Sequence, residues 1–77
     1  MFKKRRQRIL NDFQETVKKF HNGGFGVVEY EPEYNWFWVD YKGLDDSTSH
    51  QTMKSCTRAL KKYMKMQSIL SSEIDDD

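Results

Sequence analysis

The chain has 77 residues, of which 36% are hydrophobic and 32% are charged. A chain of this length allows one domain with a small core, and it contains no apolar stretch long enough to span a membrane. Thirteen basic and twelve acidic residues give a net charge of +1, so the overall charge neither favours nor excludes a nucleic-acid partner.

The single cysteine, Cys56, cannot form an intramolecular disulfide. Small secreted domains usually contain several cysteines, and the basic N-terminus is not followed by the apolar segment of a signal peptide. The sequence therefore predicts a cytoplasmic protein with no membrane partner.

The first predicted element is an amphipathic helix from residue 2 to about residue 22. Its apolar residues fall within an arc of roughly 100°, and Gly23 and Gly24 are typical of a helix end. Positive charge in the first turns opposes the helix dipole, so this end is expected either to fray or to bind an anionic partner. The basic residues concerned are Lys3, Lys4, Arg5, Arg6 and Arg8.

The aromatic run at residues 34–41 contains both tryptophans and predicts a central strand. Residues 25–31 predict a preceding strand, and Pro32 favours a turn between the two. Pairing Glu31 with Trp36 produces an antiparallel hairpin in which one face is apolar. That face, which we expect to meet the helices, carries Val28, Tyr30, Phe37, Val39 and Tyr41.

The opposite face of this hairpin is mixed in character. It places Glu29 opposite Trp38 and Glu31 opposite Trp36. We expect this face to be exposed, with the alternative that one helix covers each face and buries both tryptophans.

A second helix is predicted from the segment 48–51, whose Thr and Gln have the spacing of a capping box, to Leu70. Its apolar residues form one stripe, and its cations lie on almost the opposite side. The apolar residues are Met53, Cys56, Leu60, Tyr63, Met64 and Leu70, and the cations are Lys54, Arg58, Lys61, Lys62 and Lys65. Residues 71–77 are predicted to be a flexible acidic tail.

The predicted fold is therefore a small α+β domain of αββα order over residues 1–70, with two helices packed on an antiparallel β-hairpin. We expect the apolar hairpin face to contact Leu10, Phe13, Val17, Leu60, Tyr63 and Met64. A two-stranded sheet is marginal alone and has unpaired edges. Extension of the sheet by a second copy, giving a homodimer, is an open alternative.

No residue pattern predicts a catalytic site, a bound metal or a cofactor. His50 and Cys56 lie about 120° apart around a helix, which does not suit a nucleophilic pair. His21 and His50 lack metal-ligand spacing, and the glycine-rich segment 22–26 precedes a strand rather than a helix, unlike a phosphate loop. The sequence predicts a protein that is not an enzyme.

Two binding hypotheses remain. A protein partner would dock on a surface formed by Tyr34, Trp36, Trp38, Glu29 and Glu31, since tryptophan and tyrosine are common interface residues. The alternative is nucleic acid, held by the basic N-terminal helix, the basic face of the second helix and the hairpin aromatics. The carboxylates beside the aromatics count against this alternative.

The chain is similar in general style to compact phage or mobile-element proteins, because it is short, aromatic-rich and acid-tailed and contains no known motif. This resemblance implies a non-enzymatic binding protein that inhibits or redirects a host protein complex by covering a working surface.

Overall fold

A computed structural model describes residues 2–43 and 47–75, with side chains described for residues 4–43 and 47–70. The elements follow in the order α1 (Phe2–Asn22), β1 (Gly26–Glu31), β2 (Trp36–Tyr41), β3 (Ser47–His50) and α2 (Met53–Asp75). The predicted α+β class, with its two helices and its hairpin, is confirmed. The third strand was not predicted from the sequence.

The end of α1 has the hydrogen-bond pattern of a Schellman motif. The amide of Phe25 donates to the carbonyl of Phe20 at 3.1 Å, and the amide of Gly24 donates to the carbonyl of His21 at 3.1 Å. Gly24 has φ of 73°, a conformation that glycine adopts without a Cβ clash. The predicted glycine stop is confirmed.

The hairpin register is the one predicted, with Glu31 opposite Trp36 and Val28 opposite Val39. In the connecting turn, the amide of Tyr34 donates to the carbonyl of Glu31 at 3.3 Å, and Asn35 has φ of 55°. Proline and asparagine thus occupy turn positions that suit their conformational preferences.

The capping box predicted at residues 48–51 is wrong. Thr48 and His50 belong to β3, which pairs antiparallel with β2 and places them opposite Val39 and Phe37. Helix α2 begins later, and the Thr52 hydroxyl accepts a hydrogen bond from the Ser55 amide at 3.1 Å as its cap. The free edge of β2 supplies backbone hydrogen-bond partners for residues 47–50. A capping-box pattern in the local sequence carries no information about these partners.

At its other end, α2 remains helical past Leu70 to Asp75. Residues 76 and 77 lie outside the described residues. The flexibility of the acidic segment stays a prediction.

Both helices pack on the same face of the three-stranded sheet. The fully buried residues are Phe20, Val39, Cys56 and Leu60. Partly buried residues from both layers surround them: Phe13, Val17, Phe25, Val28, Phe37, Tyr41, Tyr63 and Met64. The alternative arrangement, with one helix on each face, is therefore wrong.

Tyr30 contributes less to this core than predicted, because 51% of it is exposed. Its ring lies 5.2 Å from that of Phe37, and its hydroxyl donates to Asn35 Oδ1 at 2.6 Å. Tyr30 therefore secures the hairpin turn rather than a helix contact.

The two helices run in the same direction. Met53, the first residue of α2, lines a hollow together with Ile9 of α1; further along both helices, Lys61 reaches Asp12 and Tyr63 lies against Phe20. The molecule is therefore a layer of parallel helices on a layer of antiparallel strands, with extents of 48 × 29 × 17 Å.

Candidate functional site

The first candidate surface is the side of the sheet that faces away from the helices, which we call the outer sheet face. Successive strand residues point to opposite sides, so the residues that alternate with the core positions share this face. They are Val27, Glu29, Glu31, Trp36, Trp38, Asp40, Ser47 and Ser49. In the described part of the chain, none of these residues belongs to the core cluster.

Aromatic side chains dominate one end of the outer sheet face. The ring of Tyr34 stacks on that of Trp36 with centroids 4.8 Å apart and an interplanar angle of 20°. Tyr34 is 60% exposed, while Trp36 and Trp38 are partly exposed. The structure therefore brings together the three aromatic residues that the sequence assigned to a partner site.

Carboxylates flank these rings. Glu29 pairs with Trp38 and Glu31 with Trp36 across the hairpin. Asp40 accepts a hydrogen bond of 2.6 Å from the Ser47 hydroxyl. The outer sheet face is thus both aromatic and negatively charged.

The indole Nε1 of Trp36 is buried and has no hydrogen-bond partner among the described residues. An unsatisfied buried donor typically costs about 1–3 kcal/mol. The stacked ring of Tyr34, which is largely exposed, is a neighbour that can move without disturbing the core. Sequence patterns carry no signal for such a group.

The second candidate surface is a groove between the two helices, which we call the inter-helix cleft. Its volume is about 540 Å³. The lining residues are Arg8, Ile9, Asp12, Lys54, Thr57, Arg58 and Lys61.

The structure thus gathers four of the predicted basic residues around one groove and separates the others from it. Arg6 lines a neighbouring hollow with Met53. Lys4, Arg5, Lys62 and Lys65 are exposed but do not line the cleft. The side chain of Lys3 lies outside the described residues.

The two surfaces lie on opposite sides of the molecule. Leu60 is buried against the sheet, whereas Lys54, Arg58 and Lys61 lie roughly 100–160° further around the axis of α2. The cations of the inter-helix cleft and the hairpin aromatics, which the nucleic-acid alternative combined, therefore do not form one continuous surface.

The remaining reactive residues serve the fold. The His21 Nε2 accepts a hydrogen bond of 3.2 Å from the Val28 amide. The His50 ring bridges the sheet and α2, with Nε2 2.8 Å from the Thr48 hydroxyl and Nδ1 3.2 Å from the Ser55 hydroxyl. Partial burial lowers the pKa of His50 below 6.5, because desolvation disfavours the charged imidazole.

Cys56 is fully buried, and desolvation raises the pKa of its thiol to about 11. It is therefore a core side chain rather than a nucleophile at neutral pH. Within residues 2–43 and 47–75, no cluster of three or more His, Cys, Asp or Glu residues could hold a metal ion. Neither described helix is long and apolar enough to cross a membrane.

No family model, curated protein or solved structure matches this chain. The outer sheet face and the inter-helix cleft are therefore the features that bear on its function.

Proposed function

We propose that this protein is a non-enzymatic binding protein that captures a protein partner on the outer sheet face. The observation that carries the proposal is the aromatic cluster of Tyr34, Trp36 and Trp38, which retains exposed surface on the side of the sheet opposite the core. Tryptophan and tyrosine provide large contact areas and lose little conformational entropy on binding.

The charges on this face define the chemistry of the partner. Glu29 and Glu31 lie directly opposite the two tryptophans, so an acidic segment approaching the rings would be repelled. A segment rich in arginine or lysine would instead form ion pairs with the carboxylates and stack its cations on the indole rings. The proposed partner surface is therefore basic and partly apolar.

Tyr34 and the buried Trp36 Nε1 support the same proposal. The hairpin turn holds Tyr34 over the indole, and more than half of the tyrosine is exposed. A partner oxygen that reached Nε1 would accept a hydrogen bond from it. Binding would then relieve an unsatisfied group of the free protein.

The action that follows from such a surface is stoichiometric. By covering a basic working surface of a host protein complex, the protein would inhibit or redirect that complex, as its similarity in style to phage or mobile-element proteins implies. A second copy of the chain is the alternative occupant.

The test is affinity capture of host proteins on the tagged protein, with and without nuclease, followed by direct titration of the captured protein. We expect a defined protein in near-stoichiometric amount that survives nuclease and that the double variant Trp36→Ala/Trp38→Ala no longer binds. Met66→Ala is the control, because Met66 is a 52% exposed apolar residue of α2.

Equal binding by both variants would contradict the proposal. Far-UV circular dichroism and urea unfolding check that the tryptophan variant remains folded. Concentration-dependent dimerisation that the tryptophan variant abolishes would identify the second copy as the occupant instead.

A further inference from the structure

The inter-helix cleft has cations on both of its walls. Arg8 lies on the α1 wall, and Lys54, Arg58 and Lys61 lie along the α2 wall. The floor is largely uncharged, since it contains the half-buried Ile9 and the nearly buried Thr57, whose hydroxyl donates to the Met53 carbonyl at 2.7 Å.

The described lining of the cleft does not balance its own positive charge. Asp12 is the single carboxylate among these lining side chains, and it is already paired with Lys61 at 2.8 Å. Lys54, Arg58 and Lys61 follow one another at spacings of four and three residues, at which like charges on a helix repel. Repulsion of this kind, concentrated around one groove, is relieved when an anion binds.

The dipole of α2 adds to this potential. Lys54 and Thr57 of the cleft lining belong to the first turns of α2, so the positive end of the α2 dipole lies at the cleft. The first turn of α2 contains no acidic residue to offset that charge.

The lining also limits the kind of anion. Among the described side chains that line the cleft none is aromatic, whereas proteins that bind single strands combine cations with aromatic stacking. A duplex needs no such stacking, because its bases are already paired and stacked. The α2 wall from Lys54 to Lys61 spans roughly 10 Å, the axial length of about three phosphates of one strand.

We propose that the inter-helix cleft binds the phosphodiester backbone of a nucleic-acid duplex, independently of base sequence. This site is distinct from the outer sheet face. It leaves the aromatic cluster free to hold a protein partner at the same time.

The test is fluorescence anisotropy of labelled duplexes with the full-length protein at several salt concentrations. We expect similar affinities for unrelated duplex sequences and a linear fall of log affinity with log salt, with a slope of about −3 if three or four phosphates are contacted. Arg58→Glu should weaken binding about tenfold or more and make the slope shallower by about one unit.

Lys62→Glu is the matched control, because Lys62 is an exposed cation of the same helix outside the cleft lining. It makes the same change in net charge and should weaken binding only slightly. Arg58 is exposed, so its replacement should leave the fold intact, and urea unfolding checks this point. Trp36→Ala/Trp38→Ala should leave duplex affinity unchanged, which separates this site from the protein-binding surface.

Three results would overturn the proposal. Equal losses in Arg58→Glu and Lys62→Glu would show that only the overall field attracts the duplex. Tighter binding of single strands than of duplexes would contradict the assignment of the ligand. Equal affinity for polyglutamate would show a general preference for polyanions, including acidic proteins.

Discussion

The outer sheet face and the inter-helix cleft differ in sign of charge and in side-chain type. The sheet face presents aromatic rings held by cross-strand neighbours and flanked by carboxylates. The cleft presents long, flexible cations on two helices. One small core thus supports two separate surfaces of opposite charge, and the partners that we propose for them differ accordingly.

The physical basis of binding should differ accordingly. Binding at the outer sheet face combines apolar contact, which depends weakly on salt, with ion pairs to Glu29 and Glu31, whereas duplex binding depends on the release of several counterions. Both activities should therefore weaken as the salt concentration rises, and duplex binding should weaken more steeply.

The largest effect should come from removing the core that both surfaces share. Leu60 is fully buried between the helices and the sheet, so Leu60→Ala should lower the free energy of unfolding by about 2–5 kcal/mol and weaken both activities together. Urea unfolding measures this change. The control is Leu70→Ala on the same helix, which is half exposed and should change stability by about 0.5 kcal/mol or less.

A smaller effect should separate the two surfaces. Charge reversal by Glu29→Lys or Glu31→Lys should each weaken the binding free energy of the protein partner by about 1 kcal/mol. The reason is that a basic segment loses an ion pair and meets a like charge. Duplex binding should not weaken. Glu15→Lys, an exposed residue of α1, provides the same charge change away from the sheet. The measurement is titration of each variant with the captured partner. Equal affinities of Glu29→Lys, Glu31→Lys and Glu15→Lys would contradict the proposal that the partner segment is basic.

A still smaller effect should sharpen the description of the cleft. The pair of Lys61 and Asp12 is about half exposed, so Asp12→Asn should change the free energy of unfolding by about 1 kcal/mol at most. It should nevertheless tighten duplex binding by roughly twofold to threefold, because it removes a repulsive charge and releases Lys61. Glu15→Gln is the control from the same helix. A loss of duplex affinity in Asp12→Asn would count against the cleft.

The smallest change that we expect is a pH effect on the junction between β3 and α2. Because the folded protein lowers the pKa of His50, the unfolded chain takes up the proton at a higher pH, near 6.5. Stability is therefore fully present above about pH 6.5 and declines as the pH falls through the lowered pKa. Urea unfolding as a function of pH measures this decline, and His50→Gln should flatten it.

Much of the fold could be predicted from local patterns. The glycine stop after α1, the hairpin register and the aromatic strand β2 all depend on neighbouring residues, and each is confirmed. β3 was missed because its four residues, Ser47–His50, carry no apolar alternation and resemble a helix cap. These residues form a strand because their backbone pairs with the free edge of β2, which is a tertiary contact.

For the candidate surfaces too, part of the description follows from local sequence patterns and part depends on tertiary packing. The sequence determined which residues are aromatic, acidic or basic and, through strand alternation, that Trp36 and Trp38 share a face with Glu29 and Glu31. The tertiary structure decided that both helices lie on the other face, that Arg8 joins Lys54, Arg58 and Lys61 around one cleft, and that cations and aromatics stand apart. The reason is that periodicity fixes the faces of single elements, whereas the packing of elements against one another fixes which faces meet and which remain exposed.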